Sequence, residues 1–440
     1  MKLPKCKYDK FIFVVTGMSY IIDSSGTSKV VQGHQDIFNE NGISFVAIFP
    51  ISRSSGEGAN WKCRTTGCYG LVIDGQLVSA LTAIEVLNSL NILKYRGVGT
   101  ECIGILVHHL IRNDIKEIQW MLAKITKVPV VFYLHDFYTC CVNPNLLKND
   151  SQSCVDRDVS CQGCVYQNKR EQHLKIIHDF FRSFESRLTF VAPSDYTLKK
   201  WLSFYPEYNR CSVVIPHQKG EGQYIGNRKH IPDSQPLRLA FPGSQKLIKG
   251  WDVYRQIIET TRKARCNYEF FYLGNGGEKV EGVHNIEVDV ATQGKDAMIT
   301  ALRNEKIDVS LLISNVAETY SYTTYESHAA NCFIIALKSG GNIPFLVNEE
   351  HWGAVFDSED DLIQALLSEE EFRKIINSWI DASPLGPDHY VDNDEIVKLF
   401  PAGAKSKILW KNRKDKPLKR IKRMALNQLF IMTRLKGKAS

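Results

Sequence analysis

The hydrophobic pattern of the chain alternates between two kinds of segment. Short, near-continuous apolar runs recur at 11–15, 45–51, 102–107, 129–134, 188–192 and 211–215. Amphipathic stretches such as 114–126 and 167–184 lie between them. A strand buried on both faces must be apolar along its length, and such strands separated by helices predict a parallel sheet with helices on both sides. Periodicity fades over 219–236, where Gly, Pro and polar residues read as an interdomain linker. It resumes with strands at 237–242, 268–273, 286–290, 308–313 and 333–337. Helices are expected at 250–264, 293–304, 322–331, 358–367 and 369–380. The length of 440 residues suits two domains of this kind. The fold class is α/β, with two doubly wound, Rossmann-like domains facing a cleft. The first spans 1–218, with a Cys-rich insertion at 137–166, and the second spans 237–385. A connecting segment, 386–410, leads to a tail at 411–440. Ligands of doubly wound sheets bind beyond the carboxyl ends of the strands, so the cleft is the expected site.

The run Phe11–Val15 reads as a buried first strand rather than a signal peptide. Thr16-Gly17 ends it and no small-residue cleavage site follows. No segment has the roughly 18–20 apolar residues that span a bilayer. A cytoplasmic location and mostly reduced cysteines, twelve in all, are the expectation. Charge changes the picture more. The net charge is +7, yet 411–440 holds eleven Lys and Arg against one acid, Asp415. The body is slightly acidic, which argues against nucleic acid as a partner. In the tail, Leu418, Ile421, Ala425, Leu429 and Met432 recur at helical spacing opposite Lys419, Arg420, Lys422 and Arg423. A basic amphipathic helix fits an anionic membrane, here the inner face of the plasma membrane.

Several motifs are absent: the dinucleotide fingerprint, the P-loop and the hydrolase nucleophile elbow. Two Asp-x-Asp triplets, Asp156 to Asp158 and Asp392 to Asp394, read as solvated loop acids. The strongest signal is the pair Glu318 and Glu326, in Glu-Thr-Tyr-Ser-Tyr-Thr-Thr-Tyr-Glu after the strand at 308–313. Glu318 falls in the loop at the strand's end and Glu326 about two turns into the next helix. Carboxylates there are strong acceptors for sugar hydroxyls. Gly243 to Gly250, with Lys246 and Lys249, leaves one strand and opens a helix, a natural diphosphate site. Gly274 and Gly276 end the next strand, and Gly340-Gly341 ends the strand after Glu326. These turns and the Glu pair share one edge of one sheet.

This half resembles the retaining glycosyltransferases of glycosyltransferase family 4, which have the GT-B fold. The resemblance is strongest over 237–345. It rests on the Glu pair, Lys249-Gly250, the turn at 274–277 and Glu-Ser-His-Ala-Ala before a buried strand. Val214-Ile215-Pro216-His217, His135-Asp136 and Ser25-Gly26-Thr27-Ser28 are similar to first-domain features of the family. The resemblance implies sugar transfer with retention from a nucleotide-sugar donor to a glycan or lipid-linked acceptor, in bacterial surface polysaccharide synthesis. It implies Glu326 on the ribose hydroxyls and Glu318 beside the donor sugar. Lys249, with the Gly340 and Gly341 N–H groups, would hold the diphosphate. His135 would touch the sugar, and Gly26 would let its loop approach the phosphate. No cofactor is implied for catalysis. Ser244 stands where the family often has Arg, with Lys246 as a substitute, and Asn331 stands where it usually has Gly. Ser244 motivates the alternatives, a catalytically weak sugar-nucleotide-binding scaffold or a GT-B-type nucleotide-sugar epimerase.

Cys140, Cys141, Cys154, Cys161 and Cys164 crowd one stretch, the last two as C-x2-C. Tetrahedral thiolate ligation of zinc is one reading; free thiols or an oxidised pair are the others. A similar arrangement in a subset of these transferases selects Cys141, Cys154, Cys161 and Cys164 as structural zinc ligands. His108 and His109 end a strand, a position that can face the cleft, but read more simply as structural histidines. His328 reads as packing, and Tyr320, Tyr322 and Tyr325 as surface and core positions.

Overall fold

The structure is a computed structural model. It describes residues 4–23, 25–53, 64–96, 100–154, 161–224, 226 and 229–411. The basic tail beyond Lys411 and the triplet at Asp156–Asp158 lie outside the described residues.

Two sheets organise the chain. The first has eight strands, in the order Ser212–Val214, Leu188–Ala192, Val130–Tyr133, Glu101–Val107, Lys10–Val15, Ser44–Arg53, Arg64–Ile73 and Gln76–Leu81. The first six run parallel. Phe11, Ile12, Phe13, Val14 and Val15 are all fully buried, which is why that run is apolar without alternation. The last two strands correct the expectation of an all-parallel sheet, since both pair antiparallel. They join through Asp74 and Gly75, both at positive φ (48° and 79°). Two such residues make the tight hairpin turn whose twist matches that of the flanking strands.

The second sheet is parallel throughout, in the order Val283–Glu287, Tyr268–Gly274, Leu237–Pro242, Val309–Leu312, Phe333–Leu337 and Gly353–Phe356. Its helices bury one stripe each. Helix Trp251–Lys263 covers Trp251, Val253, Tyr254, Ile257 and Ile258 against the sheet. Each such side chain contributes roughly 1.5–3 kcal/mol of burial. The expected helix at 293–304 is shorter, Ala297–Asn304, because Gly294 at φ 94° interrupts it. In each sheet the strand order reverses beside a central strand, Lys10–Val15 or Leu237–Pro242. Chain departing those points in opposite directions leaves a crevice at the strands' carboxyl ends.

The segment 219–236 is not wholly irregular, because Gln218–Glu221 pairs antiparallel with His389–Asp392. The chain after 386 returns to the first domain. Ile396 and Phe400 are buried in its core, and Lys407–Ile408 pairs with Ile125–Thr126. Asp394 is exposed as expected and accepts from Lys219 at 3.1 Å, whereas Asp392 is not a loop acid: it ends that strand, half-buried, and pairs with Lys295. Among the described residues no helix is long and apolar enough to cross a membrane.

Candidate active site

The carboxyl ends of both sheets meet at a cleft of about 400 Å³. From the first domain come Ser25, Gly26, Thr27, His135 and His217. From the second come Gly243, Ser244, Lys249, Glu318 and Thr319 to Thr323. Ser25 caps helix Gly26–Glu40, its side chain accepting from the Ser28 N–H, so the helix N-terminus opens at the cleft.

Lys249 ends a short turn, Leu247–Lys249, just before helix Trp251–Lys263. Gly250 makes that junction at φ 84°, and a Cβ there would lie 2.2 Å from the Ile313 carbonyl. Only glycine fits, and its place beside Ile313 aims Lys249 across the sheet edge. Lys249 Nζ donates to Glu318 Oε1 at 2.5 Å, and Ser314 Oγ donates to the same oxygen at 3.1 Å. The Glu318 backbone is clamped as well. Its N–H donates to Gly340 O at 3.3 Å, and Asn342 N–H donates to its carbonyl at 2.8 Å. Gly340 and Gly341 therefore hold Glu318 in place without lining the cleft.

The remaining expected residues are more dispersed. Glu326 lies on helix Tyr322–Ala329, nearly buried and behind the cleft wall. Lys29 of the first domain reaches it, Nζ to Oε1 at 3.6 Å, and also lies over the Tyr322 ring at 4.1 Å. Burial pushes the Glu326 carboxyl up and Lys29 draws it back. Gly243 donates its N–H to Leu273 O beside Gly274. Lys246 and Gly276 are exposed and outside the cleft. The two carboxylates of the sequence pair thus have different settings, one facing the cleft and one in an interdomain ion pair.

Thr319 and the tyrosines are more than packing. Thr319 Oγ1 donates to His135 O at 2.6 Å, while Ser194 and Thr197 hydroxyls donate to the Thr319 carbonyl. Tyr320 OH accepts from Gln218 N–H at 3.2 Å, and the Tyr322 ring stacks on His217 at 5.7 Å. His328 does pack, with its ring 3.8 Å from that of Trp352.

His135 does not stand alone. Its ring stacks on Tyr133 and His108, and Tyr133 OH lies 2.9 Å from His217 Nδ1. His34 and His108 extend the cluster inward, and the His109 ring stacks 6.4 Å from that of His135. Thr319 lines the cleft, and Lys29, His34 and His108 stand behind it; of the four, the sequence places only His108 near the cleft. Their only local signal is position, just after Gly26, after Glu318, or at a strand's carboxyl end. Burial lowers His34 to about 4, opposed by Asp392. Burial first, then neighbouring imidazoles, hold His108 and His135 well below their usual value. His217 is lowered by burial, then by His34 and Lys29.

A histidine kept neutral by folding binds its proton in the unfolded chain near pH 6.5. Its contribution is complete above that pH and is lost as pH falls toward the folded value. His34 alone removes about 3 kcal/mol between pH 6.5 and about 4. Melts from pH 7.5 to 5 are expected to show Tm falling below pH 6.5. A Tm constant over that range contradicts neutral burial of the cluster.

The Cys-rich insertion forms a separate place. Cys141, Cys154, Cys161 and Cys164 line one cavity of about 230 Å³ with Leu146, Tyr166 and Phe204. All four are free thiols. Burial raises Cys141 and Cys154, and charge on the neighbouring thiols raises them further. As placed, no three His, Cys, Asp or Glu side chains among the described residues are arranged to hold a metal ion.

At the sequence level the chain matches no protein-family model and no curated protein. Solved structures do match. A sucrose-phosphate synthase from Thermosynechococcus elongatus superposes with a TM-score of 0.50 at 13% identity, over 86% of this chain and 95% of that one. WaaG, a glycosyltransferase involved in lipopolysaccharide biosynthesis, gives 0.48 at 12% identity, over 89% and 100%. Anabaena HepE in complex with UDP-glucose gives 0.45 at 11% identity, over 85% and 93%. With the two doubly wound sheets described above, the likeness to the synthase shows that this chain has the GT-B fold.

Proposed function

We propose that this protein is a retaining glycosyltransferase of the family 4 type. It would move a sugar from a nucleotide-sugar donor to a glycan or lipid-linked acceptor. The observation that carries the reading is the meeting of Lys249 and Glu318 at 2.5 Å in a cleft that His135 and the Gly26 loop close from the opposite domain. The donor diphosphate is placed on Lys249 and the N-terminus of helix Trp251–Lys263, where fixed positive charge offsets the charge of the leaving group. Glu318 faces the sugar and stabilises positive charge developing at its anomeric carbon. The leaving phosphate takes the acceptor proton on the same face, so retention needs no enzyme nucleophile. Glu326 takes the ribose hydroxyls, which requires its contact with Lys29 to yield.

The test is a thermal-shift panel of nucleoside diphosphate sugars on the full chain. A true donor at 100 times its Kd is expected to stabilise the protein by about 2.7 kcal/mol. No shift with any member of the panel would remove the donor reading. A donor-binding protein without transfer is the second reading, favoured by Ser244, which lines the cleft where a second cation would help. Equal donor turnover by wild type and Glu318→Ala would select it.

We infer that the insertion binds a structural zinc ion through Cys141, Cys154, Cys161 and Cys164, which requires the four thiols to close in from their present spacing. The support is that four thiols share one cavity, where a cation would reverse their mutual penalty on ionisation. Purified protein is expected to carry about one zinc per chain, and metal analysis finding essentially none refutes the assignment. Chelation is expected to lower Tm.

A further inference from the structure

Three imidazoles lead from the interior of the first domain to the cleft. His135 lines the cleft. Its Nε2 lies 2.8 Å from His108 Nδ1, and His108 Nε2 lies 3.3 Å from His34 Nδ1. His108 and His34 are 1% and 4% exposed, so water cannot take either place in the chain. Each ring comes from a different element. His34 is on helix Gly26–Glu40, His108 follows strand Glu101–Val107, and His135 follows strand Val130–Tyr133.

A neutral imidazole has one N–H donor and one bare acceptor nitrogen. Two consecutive ring-to-ring contacts therefore share one direction. Either all three rings carry hydrogen on Nε2, or all three carry it on Nδ1. In the first state the N–H bonds point from the cleft toward His34; in the second they point toward the cleft. A charge at the inner end decides between them. The Asp392 carboxylate packs against Gly33, within 3.3 Å of where a Cβ would stand, and its charge acts on His34. Lys295 shares Asp392 Oδ2. A carboxylate at that end favours N–H bonds pointing toward it, which is the all-Nε2 state.

We propose that His34 and His108 are positioning residues that hold His135 as its Nε2–H tautomer, so that Nδ1 offers a lone pair to a hydroxyl of the donor sugar. His135 lines the cleft, and no hydrogen bond to its Nδ1 is made among the described residues. The proposal rests on the glycosyltransferase reading for the identity of the ligand, but the tautomer itself does not. It also sets a demand on the donor: the sugar must present an O–H, not merely an acceptor oxygen, to this point of the first domain.

The test is a long-range proton–nitrogen spectrum of the full chain labelled with 15N-histidine, at pH 7. Assignments come from His34→Asn, His108→Asn and His135→Asn. Wild type is expected to show His34, His108 and His135 neutral and protonated at Nε2. His34→Leu removes the terminal acceptor, and His135 is expected to become a mixture of tautomers. His34→Asn, whose Oδ1 stands near the position of Nδ1, keeps the single state. A His135 Nδ1–H in wild type, or an unchanged His135 in a folded His34→Leu, overturns the proposal. Where His34→Leu does not fold, the wild-type spectrum decides. A calorimetric arm uses UDP-glucose and UDP as probes. His34→Leu is expected to lose roughly tenfold affinity for UDP-glucose and little for UDP, because His135 meets only the sugar. Equal losses for both overturn the sugar contact. If the spectra are as expected and neither UDP-glucose nor any other nucleotide sugar binds, the transferase reading and the sugar contact fall while the tautomer lock stands.

Discussion

Lys249→Ala is expected to lower donor turnover by roughly 10²–10³-fold, the scale for removing one preorganised group that stabilises transition-state charge. The loss has two parts. The leaving diphosphate loses its fixed cation at the helix N-terminus. Glu318, which accepts from Lys249 at 2.5 Å and faces the sugar, is left as an uncompensated carboxylate close to that same diphosphate. Repulsion then adds to lost attraction. Glu318→Gln is expected to cost less in binding than in turnover, since Ser314 can still donate to the amide oxygen. The Lys249 side chain is partly exposed, so its removal leaves the core intact and Tm close to wild type. Steady-state turnover of the donor identified by the thermal panel is the measurement. Lys249→Ala within twofold of wild type would show that the diphosphate lies elsewhere.

Gly341→Ala is expected to cost roughly 3 kcal/mol, as backbone strain and a backbone clash combine. Gly341 has φ 71°, and a Cβ there would stand 2.5 Å from the Glu318 nitrogen and 2.6 Å from its carbonyl oxygen. Neither atom is a side-chain end that can swing away. Residues 318 and 341 form an isolated β-bridge, so relief requires the Glu318 loop to move off the sheet edge. Stability and activity should therefore fall together. For a domain of some 150–250 residues the Tm loss is about 6–12 °C. Gly340→Ala is the control. Its nearest neighbours to a Cβ are Pro344 Cδ at 3.2 Å and Ser314 O at 3.3 Å, and its φ is not positive. It should cost much less. Equal melting of the two variants would mean that the close approach at Gly341 relaxes freely.

The alternation of strands and helices is written locally in the chain, because each buried parallel strand must be apolar on both faces and each covering helix on one. Those periods are local, and they located the strand ends where Gly243, Lys249 and Glu318 stand. The hairpin of Arg64–Ile73 and Gln76–Leu81 has its own local mark, the Asp74-Gly75 turn, but it does not follow the helix–strand alternation of its neighbours. Helix Gly26–Glu40 was harder to see because His34 and Gln35 are buried polar residues that blur its apolar stripe. Which groups meet is set by packing between distant segments. Glu318 and Glu326 look equivalent in sequence, yet one faces the cleft with Lys249 and the other is held by Lys29 from the other domain. His34, His108 and His135 are far apart in the chain and carry no mark of a common purpose until three separate elements bring their rings together. The physical reason is one of range. Burial patterns record how a segment meets its own sheet, whereas a charge or an imidazole acquires its role from whatever the remainder of the fold places within hydrogen-bonding distance.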